Sequence, residues 1–464
     1  MTVRTALQSE PEARADVVIV GAGAAGLCAA LSAREAGASV VVIERDAEPR
    51  GNTALTLGML PGAGTRFQRE KGIEDSPDMY VADILAKAKG KTDESLARKI
   101  AEESGPAVEW LVDSHGLHFE LLDDILYPGH SRHRYHVPKS RTGLEMEQGL
   151  LRAALSAGAT LITSATVDTH FAEPEGRITA IGYTTADGQQ NIVGCGALVL
   201  ASGGYGADPS VIAALIPSMS DAVYCGHGGS KGDAIRWGDA LGAATADLGS
   251  YQGHCVANGP ALPVTWAIVI RGGFQVNKEG RRFSNEMSGY SEQASTVLGQ
   301  PGGTAWTIYD KHCEEAALTF QDYHRVLDSG AVVTADGIAS LSQATGLPFD
   351  NLEASFSEVA SYVTGKTDDP FGRDFTGVAQ LTPPFRAVEV KGALFHTQGG
   401  LKVDETGRVV RADGSPLPNL YAAGGAARGI SGPSSWGYLG GNGLVTAVVL
   451  GRLAGNSAAK IALT

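Results

Sequence analysis

The chain has 464 residues, 43% of them apolar and 61 of them glycine, so it is too long for one ordinary core and rich in turns and close backbone approaches. Its 37 basic and 51 acidic side chains leave a net charge of −14, which argues against nucleic acid and anionic membrane surfaces, and no apolar run approaches membrane-span length. The five cysteines are scattered, with no CxxC cluster for iron–sulfur or zinc and no CxxCH for haem, which points to a cytoplasmic, reduced chain without a second redox centre.

Residues 1–15 lack an apolar signal core and read as a frayed tail. Residues 16–44, DVVIVGAGAAGLCAALSAREAGASVVVIE, then read as strand, glycine turn, helix, strand and terminal acid. Gly21, Gly23 and Gly26 form GxGxxG: the first allows the tight turn, the second lets a pyrophosphate approach the backbone, and the third lets helix pack on sheet. The helix N-terminus offers unpaired N–H groups to the phosphates. Glu44, 18 residues past Gly26, is placed to accept hydrogen bonds from the ribose hydroxyls. In this full context the motif predicts binding of an adenine dinucleotide.

The polar, small-residue run 50–60 suits a loop against a ligand, and 80–125 reads mostly as helix with 3.6-residue periodicity. The tract GHSRHRYHVP holds His130, His133 and His136, but Arg132, Arg134 and Arg141 crowd it and no carboxylate or thiol joins them. It reads as a basic loop near a substrate entrance rather than a metal site. A helix at 144–157 is followed by strands near 160–171 and 178–185, a hairpin turn at Asp187 and Gly188, and a strand at 192–200 that runs into ASGGYG at 201–206. GHGGSKG at 226–232 has the look of an NAD(P) loop but follows no clear strand. Residues 250–392 change character, with more Pro, Trp and polar loops and helices near 309–319 and 351–364. Dinucleotide-type signals then return as a hairpin at 400–410, a buried strand at 419–423 and a helix at 439–455. The expected organisation is a split cofactor domain, 1–249 and 393–464, interrupted by a middle domain at 250–392.

A second glycine-dense approach, AAGGAARG at 422–429 and GYLGGNGL at 437–444, suits FAD, whose isoalloxazine lies far from its adenosine. With these pieces the chain resembles the fumarate reductase/succinate dehydrogenase flavoprotein family over nearly its whole length. The matching runs are VGAGAAGL at 20–27, GNTAL at 51–55, LASGGYG at 200–206, GDAIRWGDALGA at 232–243, RGGFQVNKEGRRFSNE at 271–286, HTQGGLKVD at 396–404 and PNLYAAGG…GGNGL at 418–444. The resemblance implies an α/β fold: a Rossmann-like FAD-binding domain of the glutathione-reductase type, interrupted by a mobile α+β capping domain, with substrate held between them over the flavin. It makes 226–232 a turn before a helix.

Carried over residue by residue, the resemblance implies dinucleotide contacts from Gly21, Ala22, Gly23, Ala24, Ala25, Gly26, Glu44, Arg45, Asn52, Thr53 and Ala54, and an adenine contact from the backbone of Val167. Ala201, Ser202 and Gly203 match a second contact segment; Gly424, Gly425, Gly440, Gly441, Asn442, Gly443 and Leu444 match the flavin end. Covalent members carry a histidine near the position of Asn52; none is there, so the FAD is expected to be noncovalent. The family's C-terminal strand usually ends in Gly-Glu, and here it ends in Gly424 and Gly425.

At the substrate end, His254 and His396 match the two histidines that commonly hold a substrate carboxylate or carbonyl. Fumarate reductases place an arginine after the NE of the capping-domain motif as proton donor and a second before LGGN as carboxylate clamp; this chain has Tyr290 or a neighbour at the first place and Tyr438 at the second. Arginine pairs bidentately with carboxylates, whereas a tyrosine offers one hydroxyl, which suits a ketone oxygen or a proton relay. The two changes resemble the branch of 3-ketosteroid and cyclic ketone dehydrogenases. The resemblance therefore implies α,β-dehydrogenation of a ketone by α-proton abstraction and β-hydride transfer to flavin N5, with Tyr290 as acid/base and Tyr438 and His396 polarising the carbonyl. A tyrosine base needs nearby positive charge, and Arg271, Arg281, Arg282 and His254 are its candidate sources. The alternatives are an ene-reductase of an unsaturated carboxylate, with Arg428 or Arg271 as the clamp, or a flavoprotein subunit that only transfers electrons. Substrate, electron acceptor and oligomeric state are not written in the sequence.

Overall fold

The computed structural model of the chain describes residues 2–7, 11 and 13–464. It divides into two compact units: Met1–Val211, Gly226–Tyr251 and His396–Thr464 make one, and Ile212–Cys225 and Gln252–Phe395 the other. No helix among the described residues is long and apolar enough to cross a membrane.

Among the described residues, the first unit is built on a nine-stranded sheet. Its centre is parallel: Ala13–Val20 lies between Gln190–Leu200 and Val40–Ile43, and Thr160–Ile162 extends the sheet beyond Val40–Ile43. Val17, Val18, Ile19 and Val20 are all buried, the continuous apolar run expected of a parallel strand covered on both faces. Gln190–Leu200 is long enough to serve two more partners, pairing antiparallel with Ile178–Thr185 through its first half and parallel with Pro416–Ala422 through its last three residues. That pairing brings the C-terminal segment back into the sheet, one strand away from Ala13–Val20. The helices Ala24–Glu35 and Asn442–Ala462 then pack so closely that a β-carbon at Gly455 would lie 2.1 Å from the Ala29 carbonyl oxygen and one at Gly451 2.4 Å from that of Ala25. Only glycine permits that approach.

The reading of 1–15 as a tail fails where those residues are described. Thr2–Thr5 is a strand in parallel register with residues 169–172, its β-branched side chains suited to the ladder, and residues 13–15 open Ala13–Val20; residues 1, 8–10 and 12 lie outside the described residues. The long helical stretch predicted at 80–125 is two helices, Pro77–Lys87 and Glu94–Asp113, each with its own cap: Ser76 Oγ accepts the Met79 N–H, and Asp93 accepts that of Leu96.

The second unit centres on the strand Phe385–Thr397, which pairs antiparallel with Thr304–Tyr309 and Val332–Ala335 and parallel with Val223–Tyr224. The last pairing draws Ile212–Cys225 into this unit, although the sequence placed that segment in the first part of the cofactor domain. Phe274, Ile308, Leu341, Leu352 and Phe385 form its core. Periodicity found Lys311–Ala317 and Phe349–Val363 but missed Tyr290–Leu298, Gln321–Asp328 and Ile338–Thr345, which at nine, eight and eight residues are too short for a 3.6-residue pattern to stand out.

Candidate active site

An open cleft of about 1260 Å3, counting its mouth, runs through the first unit at the carboxyl ends of the parallel strands. Gly21, Gly23, Ala24 and Ala25 line it from the first turn, Glu44 and Arg45 from the end of the second strand, Asn52 and Thr53 from the following loop. Val167, Ala201, Ser202, Gly203, Gly424, Gly425, Gly443 and Leu444 complete the predicted wall, with Ala22 beside Gly21. Gly21 has φ +103°, and a β-carbon there would meet the Ala201 carbonyl oxygen at 2.5 Å, so only glycine can make this turn. Ala24–Glu35 starts at Gly23 with no side-chain cap of its own; Thr53 Oγ1 takes the Ala24 N–H at 3.0 Å, and Glu44 takes that of Ala22 at 2.7 Å. Such a helix start suits an anionic pyrophosphate.

Five predicted cofactor residues, Gly26, Ala54, Gly440, Gly441 and Asn442, do not line the cleft. A β-carbon on Gly26 would lie 1.9 Å from the Gly21 carbonyl oxygen, so Gly26 serves packing alone. Ala54 turns away, its N–H bonded to the Gly51 carbonyl. The Gly440 carbonyl is taken by His130, and the buried Asn442 amide donates to Ser431 Oγ at 3.0 Å. The Gly-Glu replacement also has a physical reason. A β-carbon on Gly425 would lie 2.6 Å from the Gly204 nitrogen, so the backbone occupies the place a glutamate would need.

Sequence reasoning missed several lining residues. The GHGGSKG loop set aside at 226–232 contributes His227, Gly229 and Ser230, and Asn52 holds it by accepting the His227 N–H at 2.7 Å and donating to Ser230 Oγ at 3.4 Å. Trp237 lines the cleft as well, and its Nε1 and Ser202 Oγ are buried without a hydrogen-bond partner, open to a ligand's acceptors. Glu147 lies behind the phosphate-binding turn: its Oε1 accepts the Gly51 N–H at 3.3 Å, its Oε2 has no partner, and burial pushes the carboxyl up to about 8. A neutral acid there does not repel a pyrophosphate. The long cleft, the helix start and the unpartnered polar atoms fit an adenine dinucleotide whose far end reaches His396 and Gly443.

At that far end, Gln398 Nε2 lies 3.1 Å from His396 Nδ1, nearer than the Thr397 carbonyl at 3.4 Å. Gln398 Oε1 accepts from Ser431 Oγ, which is held in turn by Asn442. That chain makes Nδ1 an acceptor and leaves the proton on Nε2, which a β-carbon on Gly443 would approach to 2.9 Å. Burial lowers His396 to about 4, so the ring is a neutral donor. Tyr438 stands with its ring centroid 5.7 Å away. Burial holds its phenol well above the ordinary value, while the amides of Gly443 and Gly441 bond its oxygen.

In the second unit, His254 is the mirror case. Its Nδ1 donates to the Cys255 carbonyl at 2.9 Å, so Nε2 carries a lone pair, and burial lowers it to about 4. His254 is therefore neither the cation that the sequence reading offered to Tyr290 nor, in this tautomer, a donor to a carbonyl. Its ring lies 5.1 Å from Tyr290, 5.7 Å from Trp266 and 5.4 Å from Phe395, in an aromatic cluster. Two of the three candidate arginines are committed elsewhere. Arg282 is bound to Glu286 at 2.9 Å and Asp369 at 2.7 Å, with Arg373 closing the buried network on Glu286 at 3.2 Å; Arg281 donates to Asn351, and Arg271 is exposed. Tyr290 instead opens the helix Tyr290–Leu298, at its positive end.

Arg428, the reserve carboxylate clamp, is spent within the first unit: Nη1 pairs with Asp93 at 2.9 Å and Nη2 with Asp247 at 2.7 Å. Much of the basic tract is built into the core rather than left as a surface loop. Arg134 is buried against Asp75 and Asp83, and His136 bonds Thr65 Oγ1 at 2.9 Å.

The FAD binding domain family model matches residues 16–444. A probable fumarate reductase of Shewanella frigidimarina is 30% identical over 99% of this chain and 77% of its own length. Among solved structures, the open form of a flavocytochrome c3 fumarate reductase superposes with a TM-score of 0.82 at 28% identity, over 98% of this chain and 79% of that one. A 3-ketosteroid-Δ4-(5α)-dehydrogenase from Rhodococcus jostii RHA1, in complex with 4-androstene-3,17-dione, superposes with a TM-score of 0.81 at 27% identity, over 99% and 100%. With a dinucleotide cleft of this shape and a family match across both units, the chain belongs to the FAD binding domain family and is an FAD-dependent oxidoreductase of the fumarate reductase/succinate dehydrogenase flavoprotein type.

Proposed function

We propose that the enzyme desaturates a ketone next to its carbonyl group, the substrate being cyclic and steroid-like. The observation that carries this reading is the pairing of two uncharged rings, His396 lining the flavin end of the cleft and Tyr438 beside it, with centroids 5.7 Å apart; each can offer a neutral donor. A ketone oxygen accepts from both as negative charge develops on it, whereas a carboxylate at the same place calls for a cation. Arg428, the nearby arginine that the carboxylate reading relied on, is already paired with two aspartates.

Noncovalently bound FAD supplies the acceptor for the β-hydride. Tyr438 and His396 hold the carbonyl oxygen and so acidify the α-carbon. Tyr290 takes the α-proton, and the neutral His254 ring packs beside it with centroids 5.1 Å apart. The free cysteines accord with a reducing, cytoplasmic setting, and the electrons leave to an external acceptor.

A second reading, reduction of an unsaturated carboxylate, is favoured by the relative named a probable fumarate reductase. Anaerobic flavin absorbance separates the two. Saturated cyclic ketones and 3-ketosteroids are expected to bleach the oxidised enzyme. Reoxidation of photoreduced enzyme by fumarate-like acids alone, with no bleaching by ketones, would overturn the desaturase reading.

A further inference from the structure

The histidine–arginine tract, which cofactor binding does not use, ends beside Tyr438. We propose that His130, backed by Arg134, is a positioning residue for the reaction: it sets the Gly440–Gly441 turn so that two backbone amides polarise the Tyr438 hydroxyl. The proposal rests on the reading of Tyr438 as the carbonyl donor.

The geometry runs in one direction. His130 Nε2 lies 3.0 Å from the Gly440 carbonyl oxygen. A carbonyl only accepts, so the ring proton is on Nε2, and the Tyr135 hydroxyl, 3.1 Å from the same nitrogen, takes a share of it. Nδ1 then faces Arg134 Nη1 at 3.5 Å as an acceptor. Arg134 is fully buried and immobilised: Nε and Nη2 grip Asp75 at 2.7 and 2.8 Å, Nη1 bonds Asp83, and the guanidinium lies 4.9 Å over the Tyr80 ring. The imidazole is thus fixed from behind by a cation that cannot give up its proton, which also keeps His130 neutral, lowered to about 4 by burial and then by Arg134.

The turn that His130 grips is clamped on its other side. Gly441 has φ +82°, and a β-carbon there would lie 2.4 Å from Pro61 Cγ and 3.0 Å from Tyr135 Cε1. Gly441 is also the cap residue of Asn442–Ala462, so its amide and that of Gly443 sit at the positive end of a 21-residue helix and bond the Tyr438 oxygen. Two N–H groups on that oxygen leave the phenol's own proton to be donated elsewhere and make it a stronger donor. Freeing the Gly440 carbonyl lets the turn relax and the amides drift. The consequence is a weaker donor in an otherwise intact, FAD-loaded enzyme.

The test uses the full-length holoenzyme as wild type, His130→Gln, His130→Leu and Tyr438→Phe. Each is assayed for FAD content, for kcat and KM with a cyclic ketone, and for the carbonyl stretch of a bound enone by Raman difference spectroscopy. The glutamine amide can reach Gly440 with a donor; leucine cannot. His130→Leu should lose about tenfold in kcat, the worth of one buried hydrogen bond, with KM near that of wild type and the carbonyl stretch shifted toward its value in solution; His130→Gln should recover most of both. If Tyr438→Phe moves rate and stretch while His130→Leu moves neither, the positioning role is wrong and the desaturase reading stands. If Tyr438→Phe moves neither, the reading of Tyr438 falls and the inference with it. Should His130→Leu fail to bind FAD, nitrogen-15 spectra of histidine-labelled wild type decide: a proton on Nε2 of His130 supports the proposal, and a proton on Nδ1 overturns it.

Discussion

His396 and His254 occupy matching motif positions and are both lowered to about 4, yet the nearest neighbours of their Nδ1 nitrogens differ, which assigns the proton to opposite nitrogens. In the cofactor unit, Gln398 occupies Nδ1 of His396 and turns Nε2 into a donor; in the other unit, the Cys255 carbonyl draws the proton of His254 to Nδ1 and turns Nε2 into an acceptor. A histidine's motif position names the residue, while its chemistry is set by the one neighbour that claims its other nitrogen. The cofactor unit thus holds the donor pair Tyr438 and His396, and the other unit holds Tyr290 next to His254, whose Nε2 is an acceptor.

The largest effect that tests this division is expected at the acceptor side. Tyr290→Phe removes the group that takes the α-proton and should cut kcat by about 10³-fold while leaving FAD bound, read by steady-state kinetics with a bleaching substrate. Near-normal turnover with full FAD would place the base elsewhere. On the donor side, Tyr438→Phe should cost about 10²-fold, since His396 still holds the oxygen. An effect confined to KM would show that Tyr438 binds without polarising.

The shared lowering of the two histidines makes a sharper statement in pH. A histidine whose folded value falls from 6.5 to about 4 contributes stability that is fully present above 6.5 and lost as pH falls through 4. His130 and His136 behave alike. The melting temperature should therefore fall steeply between pH 6.5 and 4, and the rate should show no break near 6.5. A kinetic break there would mean that one of the active-site imidazoles titrates in the working range. Glu147 runs the other way. Its folded value is raised from 4.5 to about 8, so its contribution is present below 4.5 and lost as pH rises through 8. FAD release, followed by flavin fluorescence, should grow above pH 8 and lose that dependence in Glu147→Gln.

Much of the cofactor cleft was legible because it is made of backbone. GxGxxG, the acid after the second strand and the late glycine run are sequence signatures of close approach, and they placed Gly21, Gly23, Glu44, Gly424 and Gly443 on one wall. What the sequence hid was which polar groups are already partnered. Arg282 reads as free positive charge beside Tyr290, yet Glu286, four residues on, and Asp369, far along the chain, neutralise it in the core. The loop at 226–232 looked irrelevant because its ties to the cleft are long-range, among them the two bonds by which Asn52 accepts from the His227 N–H and donates to Ser230 Oγ. The joining of Ile212–Cys225 to the second unit is likewise a pairing of two residues with a strand formed much later.

Arg428 gives the smallest expected effect on turnover and the one that separates the two chemistries most cleanly. Its guanidinium bridges the cap of Glu94–Asp113 to Asp247 and is itself nearly buried, with Asp93 about one-third exposed. Breaking a fully buried pair costs about 3–5 kcal/mol, and partial exposure of Asp93 brings the expected loss toward the lower end. Arg428→Met should therefore lower the melting temperature by several degrees while leaving ketone turnover per bound FAD within a few-fold of wild type. A carboxylate reader predicts the reverse, because an arginine that clamps substrate carries binding energy rather than structure. Loss of turnover with unchanged melting would move Arg428 from the scaffold to the substrate and restore the unsaturated acid as the ligand to which the donor pair must answer.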